Sequence, residues 1–305
     1  MRTRTWSWLL VCGLLLTATA ARGETREEDG VASGSNCLGE ACSKLILDQI
    51  LGARLAPVGI ENRFDLGVCL PLVGNSHPLL AYTNLRFGAV NYLSPTYVHL
   101  GGFLAISPLS ILELRAEVSA LTLWPTPFDR TGYQVVEDYD SRFDKPDLPA
   151  SSGTHAWGVM AVLKPTLRGR IPLGSKLSLV FNDALAFEYW QVGDQDFYFN
   201  CRRDMVLARK EWLVYNSAIL ALEIPVHPNA TLMVGAMDDL VYLPPTGYTD
   251  HRLHGLIAIR LDRLGKSIRE FRPFVGVGRI FSHQEFQGQT SVIVGISTAY
   301  RLARL

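Results

Sequence analysis

Apolar and polar residues alternate strictly through much of the chain, and residues 109–124 are the clearest example. In this segment the polar positions include Glu113, Arg115, Glu117 and Ser119, and the apolar positions between them are Leu112, Leu114, Ala116, Val118 and Ala120. A period of two is that of a β-strand with one apolar and one polar face. The segment is longer than an ordinary strand of about 5–6 residues. Ionised groups on one face of so long a strand are typical of a bilayer wall around an aqueous interior.

The same alternation predicts eleven strands in all. They cover 60–70, 79–92, 96–106, 109–124, 157–168, 176–189, 211–224, 230–243, 252–261, 272–281 and 290–302. Because bacterial barrels have even strand numbers, we expect a twelfth strand near 44–57, where a short amphipathic helix is the alternative. The pattern therefore predicts an all-β, up-and-down antiparallel transmembrane β-barrel of about twelve strands over 55–305. Asp183, on the apolar face of its strand, is an exception that the pattern does not explain.

The connections between these strands are of two alternating kinds. Short turns rich in proline and glycine are predicted at Ser107-Pro108, 169–174, 227–229 and 262–266. Longer and more polar connections are predicted at 125–154, 191–206, 244–251 and 283–288. This asymmetry is typical of outer-membrane barrels, whose long loops lie outside the cell. We therefore expect the 125–154 loop to be extracellular.

Aromatic residues mark the strand ends next to the long connections. All of them have the parity of the apolar face: Trp124, Trp157, Tyr189, Trp212, Tyr242 and Phe281. Amphipathic rings prefer the level of the lipid headgroups, so we expect these residues to form a girdle at one membrane interface. A soluble β-protein would place its aromatic residues throughout a core instead.

The first 54 residues differ from the rest. Residues 1–23 combine Arg2 and Arg4, a short apolar run and small residues at a cleavage site, which predicts a secretory signal peptide. Residues 24–54 are expected to form a periplasmic segment. Within it, Cys37 and Cys42 predict a local disulfide in an oxidising compartment, and two free thiols are the alternative. No second cysteine pair or nearby histidine completes a metal site.

Charge excludes one class of partner. Removal of the signal peptide after Ala20 leaves 27 Lys and Arg against 29 Asp and Glu (29 minus Arg2 and Arg4, against 29). Without a basic excess, nucleic acid is not expected as a partner. After the signal peptide no run of about 20 apolar residues follows, so transmembrane helices are not expected either.

The chain resembles the outer-membrane β-barrel class over roughly residues 55–305. Residues 63–115, with Leu70-Pro71, 90–97 and Ile106-Ser107-Pro108-Leu109, are similar to uncharacterised barrels from deltaproteobacteria. The resemblance implies outer-membrane lipid and the barrel-assembly machinery as partners and carries no activity with it. The class usually ends on an aromatic residue that the assembly machinery recognises, whereas this chain ends on Leu305.

Candidate chemistry on the strands and loops is sparse. Outer-membrane phospholipase A uses His, Ser and Asn on its lipid-facing surface, but here His99 and His254 have polar-face parity and no Gly-x-Ser-x-Gly motif occurs. The loop at 125–154 contains Glu137, Asp138, Asp140, Asp144 and Asp147, which makes a calcium site conceivable. Arg142 and Lys145 lower the local negative charge, so a solvated loop is favoured. We expect no catalytic residues, metal or cofactor.

Charged residues on the polar face are the most informative group. The following are expected to point into the lumen: Glu61, Arg63, Asp65, Glu113, Arg115, Glu117, Lys164 and Arg168. Opposite charges on adjacent strands pair across a sheet, so Glu113 is expected to pair with Lys164 or Arg168. The pairs either fill a narrow barrel or form a charged constriction that selects solutes, and the filled barrel is favoured.

These observations together predict a porin-like barrel in the bacterial outer membrane that acts as a narrow channel or as a passive structural barrel. A lipid-modifying outer-membrane enzyme and a soluble secreted β-protein that binds apolar ligands are the alternatives. The solute, the protein partners and the oligomeric state do not follow from the sequence.

Overall fold

The computed structural model describes residues 43–56, 58–72, 79–80, 82–125, 132–141, 155–174, 176–265 and 267–305. The predicted signal peptide at 1–23, the following residues up to 42 and the predicted Cys37–Cys42 disulfide lie outside the described residues. Among the residues that are described, no helix is long and apolar enough to cross a bilayer.

The described chain forms fifteen β-strands. These are β1 (Lys44–Leu55), β2 (Gly59–Pro71), β3 (Asn84–Ser94), β4 (Tyr97–Leu109), β5 (Leu112–Leu123), β6 (Gln134–Val136), β7 (Ala156–Pro172), β8 (Ser178–Val192), β9 (Phe197–Asn200), β10 (Met205–Ala208), β11 (Lys210–His227), β12 (Ala230–Leu243), β13 (Tyr248–Asp262), β14 (Ile268–Ser282) and β15 (Thr290–Arg304). The segment at 44–57, where a strand and a helix were both considered, forms β1.

Twelve of these strands close into a barrel. Its order is β1-β2-β3-β4-β5-β7-β8-β11-β12-β13-β14-β15, and β15 pairs with β1 to complete the ring. Each strand is antiparallel to both of its neighbours. The prediction of an all-β, up-and-down antiparallel barrel of twelve strands is confirmed.

Some strand boundaries differ from those predicted. Ser107-Pro108 lies inside β4, and the turn follows at Ser110-Ile111. Proline is tolerated there because the β4–β5 register is irregular between Ile106 and Leu109, where a ladder hydrogen bond is not required. The strand predicted from residue 79 begins only at Asn84, since residues 79–83 belong to the preceding connection.

The barrel has an apolar outer surface and a polar interior. On β5 the outward side chain of Val118 is 59% exposed, whereas the inward side chain of Arg115 is 4% exposed. Exposed leucine, isoleucine and valine residues cover the outside of the other strands in the same way. This is the reverse of a soluble protein, in which such residues form the core.

A second, smaller sheet lies within the two longest connections. It has the order β10-β9-β6, and β9 and β10 form a hairpin inserted between barrel strands β8 and β11. Tyr198 and Leu207 of this hairpin pack in one buried cluster with inward-facing residues of the barrel wall such as Leu121, Trp190 and Leu243. The hairpin therefore fills the lumen in the half nearest the long connections, and we call it the inner hairpin.

Candidate functional site in the barrel lumen

The turn at the tip of the inner hairpin is built from Asn200 to Asp204. The Asn200 side-chain oxygen accepts hydrogen bonds from the backbone amides of Arg202 and Arg203, both at 3.1 Å. Asp204 adopts a left-handed backbone with φ of 52°, which aspartate tolerates better than most residues. This tight turn presents Arg202, Arg203 and Asp204 to the barrel wall, and we call these three residues the charged tip.

Arg202 binds the wall at β2. Its Nε donates to Glu61 Oε2 at 2.9 Å, and its guanidinium lies 4.0 Å from the centre of the Tyr92 ring. The Tyr97 hydroxyl donates to the same Glu61 oxygen at 2.5 Å. Glu61, one of the charges predicted to face the lumen, is thus held by one cation from the inner hairpin and one neutral donor from the wall.

Arg203 makes the equivalent contact with β8. Its Nε donates to Glu188 Oε2 at 2.9 Å, and a second guanidinium nitrogen bonds the other oxygen, so that the pair is bidentate. The Trp190 indole nitrogen also donates to Glu188 Oε2, at 3.0 Å. The Arg203 guanidinium lies 4.1 Å from the centre of the Tyr215 ring.

Asp204, the negative residue of the charged tip, pairs with two arginines of the wall. It accepts hydrogen bonds from Arg54 of β1 and from Arg252 of β13, the latter at 3.1 Å. Asp250 in turn holds Arg252, whose Nε lies 2.8 Å from Asp250 Oδ1. A cavity of about 70 Å³ lies between these groups, enough for about two water molecules. The charged tip is therefore clamped to β1, β2, β8 and β13.

A free thiol lies directly beside the charged tip. Cys201 precedes Arg202 and forms no disulfide. Burial raises the pKa of Cys201 to about 12, so the thiol stays protonated and weakly nucleophilic at neutral pH. Nucleophilic catalysis by Cys201 is not supported by this environment.

Residues 132–141 contact both the inner hairpin and the barrel wall. The Tyr139 hydroxyl donates to Glu211 of β11 at 2.5 Å, and the Gln284 amide donates to the Tyr139 carbonyl at 2.9 Å. The Tyr248 hydroxyl donates to Asp140. The Ser141 hydroxyl donates to Asp138 at 3.0 Å. Among the described residues no group of three or more His, Cys, Asp or Glu side chains could hold a metal ion.

Four of the eight predicted lumen charges, Arg63, Asp65, Arg115 and Glu117, meet in one network below the charged tip. Arg115 lies between Asp65, at 2.7 Å, and Glu117, at 3.1 Å. Arg63 binds the same Asp65 carboxylate, also at 2.7 Å. The Arg115 guanidinium stacks 4.1 Å from the centre of the Phe103 ring.

Glu113 has one of its two expected partners, Arg168, whereas Lys164 is placed differently from the expectation. Glu113 pairs with Arg168 at 3.3 Å, and their side chains are 14% and 24% exposed. Lys164 lies next to Arg115 in the β5–β7 register, and no described carboxylate lies within 4.0 Å of its ammonium group. Alternation predicts which way a side chain points, whereas its partner depends on the stagger between strands.

The residues of the predicted girdle lie on the outer surface at the long-connection end. Trp157, Trp212, Tyr242 and Phe281 are exposed, and Tyr189 packs against Trp212 with ring centres 4.9 Å apart. The Trp124 indole donates to the Pro95 carbonyl at 2.5 Å. That these rings meet lipid headgroups remains a prediction.

A polar patch interrupts the apolar outer surface across β8, β11, β12 and β13. Asn216 donates to Asp183 at 2.6 Å, and His251 Nε2 lies 2.7 Å from Asp238 Oδ1. Asp183 and Asp238 flank Ala218, and a shallow depression of about 230 Å³ lies over this small residue. Asp183, which the sequence pattern did not explain, therefore has a partner on the neighbouring strand. We call these four polar residues the outer patch.

The charged tip is the main feature that sequence reasoning missed. The connection at 191–206 was predicted as a polar loop, although Phe197-Tyr198-Phe199 and Met205-Val206-Leu207 flank a short polar turn, which is a hairpin pattern. The histidines with polar-face parity, His99 and His254, are both fully buried in the lumen. Cys69 takes part in a disulfide, and the sequence had assigned it no role.

Comparison with known proteins identifies no family for this chain. No protein-family model matches the chain, and no curated protein matches it significantly. Three of the solved structures it is similar to are bacterial outer-membrane barrels. The translocator domain of the autotransporter NalP from Neisseria meningitidis is 14% identical, with 85% of this chain and 88% of that chain covered and a TM-score of 0.40. The KdgM porin is 10% identical, with 85% and 99% covered and a TM-score of 0.34. The beta domain of the Bordetella autotransporter Brka is 8% identical, with 84% and 99% covered and a TM-score of 0.47. No activity can be transferred at these values.

Proposed function

We propose that the protein is a bacterial outer-membrane barrel that is closed at rest, with its inner hairpin as the plug. The observation that carries this proposal is the clamping of the charged tip to four wall strands by ion pairs. An open pore would leave the inward charges in water, whereas Arg115, Glu117 and Glu188 are buried. Of the two functions predicted, a narrow channel and a passive structural barrel, a channel that is normally shut fits best.

The location in the outer membrane is part of the proposal. The apolar outer surface needs a lipid environment, and the alternating connections and the signal-like residues 1–23 suit export to the outer membrane. Outer-membrane lipid and the barrel-assembly machinery are the partners this location implies. The resemblance to deltaproteobacterial barrels remains an expectation from sequence.

The two alternative functions have weaker support. A soluble protein that binds apolar ligands would expose polar residues to water, but here the exposed face is apolar. A lipid-modifying enzyme needs a nucleophile beside a base on the outer surface. Among the described residues His251 is bonded to Asp238 and to no serine, threonine or cysteine side chain.

Fractionation and planar-bilayer recording test the proposal. The protein should enter the outer-membrane fraction, and its mobility on SDS gels should change on heating. Reconstituted wild-type protein should show no steady conductance. Steady ohmic conductance in the wild type would refute the closed state, and recovery in the soluble periplasmic fraction would refute the location.

A further inference from the structure

We propose that the charged tip occupies a binding site in the barrel wall whose ligand is a small peptide or solute with two guanidinium groups and a carboxylate. This inference rests on the proposed closed barrel with a displaceable inner hairpin. In the closed state Arg202 and Arg203 fill the two cation subsites, at Glu61 and Glu188, and Asp204 fills the anion subsite at Arg54 and Arg252.

Each cation subsite is built in the same way. A wall carboxylate accepts one hydrogen bond from a neutral aromatic donor, Tyr97 at Glu61 and Trp190 at Glu188, and the cation comes from the charged tip. Among the described residues no other cation lies within 4.0 Å of either carboxylate. Aromatic rings of Tyr92 and Tyr215 lie against the two guanidinium groups. A planar guanidinium group suits a carboxylate site beside an aromatic ring better than an ammonium group does.

The two cation subsites and the anion subsite lie on different arcs of the ring. The arc from β2 through β3, β4, β5 and β7 to β8 has Glu61 at one end and Glu188 at the other. The remaining wall includes the arc from β13 through β14 and β15 to β1, which ends at Arg252 and Arg54. A ligand with cations on one side and a carboxylate on the other matches this arrangement.

Displacement of the inner hairpin would leave Glu61 and Glu188 without their cations. A ligand that supplies two guanidinium groups pairs with these two carboxylates and therefore favours the displaced state. Ligand binding and opening are therefore coupled, since a ligand shifts the equilibrium by its preference for one state.

The first test uses full-length protein with a neutral tip, R202Q/R203Q, in detergent micelles. Arginyl-arginine should raise the thermal unfolding midpoint of this variant in a saturable manner, because a ligand that binds the folded state stabilises it. Citrullyl-citrulline, which has nearly the same shape and the same charged termini but neutral side chains, should not. In R202Q/R203Q/E61Q/E188Q the apparent affinity for arginyl-arginine should fall at least about tenfold, which corresponds to the loss of charge pairing. Equal stabilisation by the two peptides, or in the two variants, would overturn the inference.

The second test uses the wild-type protein and decides the matter if the variants do not fold. In planar bilayers, arginyl-arginine should induce conductance steps and citrullyl-citrulline should not. Absence of conductance with both peptides would overturn the inference and leave the proposed closed barrel intact. Steady conductance without any peptide would instead overturn the proposed function.

Discussion

Individual ion pairs in the lumen differ in how deeply they are buried. Asp65 and Arg115 are almost fully buried below the charged tip, whereas Glu113 and Arg168 keep part of their surface exposed at the short-turn half. Burial raises the cost of leaving one partner alone, because the remaining charge cannot be hydrated. Pairs of the same chemistry should therefore differ in their contribution to stability.

Asp65→Ala should lower the free energy of unfolding by about 3–5 kcal/mol, because it leaves buried Arg115 with Glu117 alone. Glu113→Ala should cost only about 1 kcal/mol, since Arg168 can reach water. Urea unfolding of both variants in lipid vesicles, followed by tryptophan fluorescence, gives the comparison. Similar losses in the two variants would contradict the conclusion that burial makes the Asp65–Arg115 pair contribute more to stability than the Glu113–Arg168 pair.

The outer patch gives a second test at the level of single residues. His251→Leu removes the hydrogen-bond partner of Asp238 on a surface that we place in lipid, and should cost about 1–3 kcal/mol. His251→Leu/Asp238→Leu replaces both partners by apolar groups and should recover most of that loss. Unfolding free energies in vesicles would reveal the difference. A double variant less stable than His251→Leu would show that the outer patch contributes in another way.

Sequence parity predicts the direction of these side chains better than their partners. Glu61, Arg63, Asp65, Arg115 and Glu117 all face the lumen, as their alternation suggested. The pairing of Arg115 with Asp65 joins residues 50 positions apart and crosses the lumen from β5 to β2. Such a contact depends on barrel closure and width, so no local pattern contains it.

At the level of elements, the barrel strands and the inner hairpin differ in how easily they are predicted. Barrel strands of 11 to 18 residues alternate long enough for the period to be clear. β9 and β10 have only four residues each and are surrounded by protein on both faces, so both faces contain apolar residues. Burial on both sides removes the alternation, and the hairpin was therefore predicted as a loop.

Removal of the inner hairpin should open the barrel. Replacement of residues 198–207 by a short Gly/Ser linker removes the plug and its charged tip but keeps the ladder between β8 and β11. We expect conductance steps in planar bilayers together with a preserved heat-dependent gel shift. A variant that folds but shows no conductance would show that the hairpin does not block the lumen.

A matched control lies in the same connection. Arg209 and Asp194 form an exposed ion pair at 3.1 Å that does not face the lumen wall. Arg209→Gln/Asp194→Asn removes one charge of each sign from the connection without touching the charged tip. This variant should stay closed, because exposed pairs contribute little.

The whole molecule separates its tryptophans into two environments. Trp157 and Trp212 are 72% and 57% exposed on the outside at the long-connection end, whereas Trp190 is 0% exposed inside the lumen. If the outer surface meets lipid, the first two residues lie at one membrane interface.

Brominated lipids should quench the outer tryptophans selectively. Three variants that each retain one of Trp157, Trp212 and Trp190, with phenylalanine at the other five positions, allow a direct comparison in vesicles. Strong quenching of Trp157 and Trp212 and weak quenching of Trp190 are expected. Equal quenching of all three would refute the placement of the girdle at the lipid interface.

The seam between the first and last strands has a consequence for the order of assembly. β1 and β15 pair along their length, and the Leu305 amide donates to the Ser43 carbonyl at 2.9 Å. The ring therefore cannot shut until the last strand has been made, while the inner hairpin comes from the middle of the chain. Contacts between such distant residues form slowly, because the intervening chain must be ordered first. The hairpin can therefore pack against strands already formed before closure of the seam completes the wall around it.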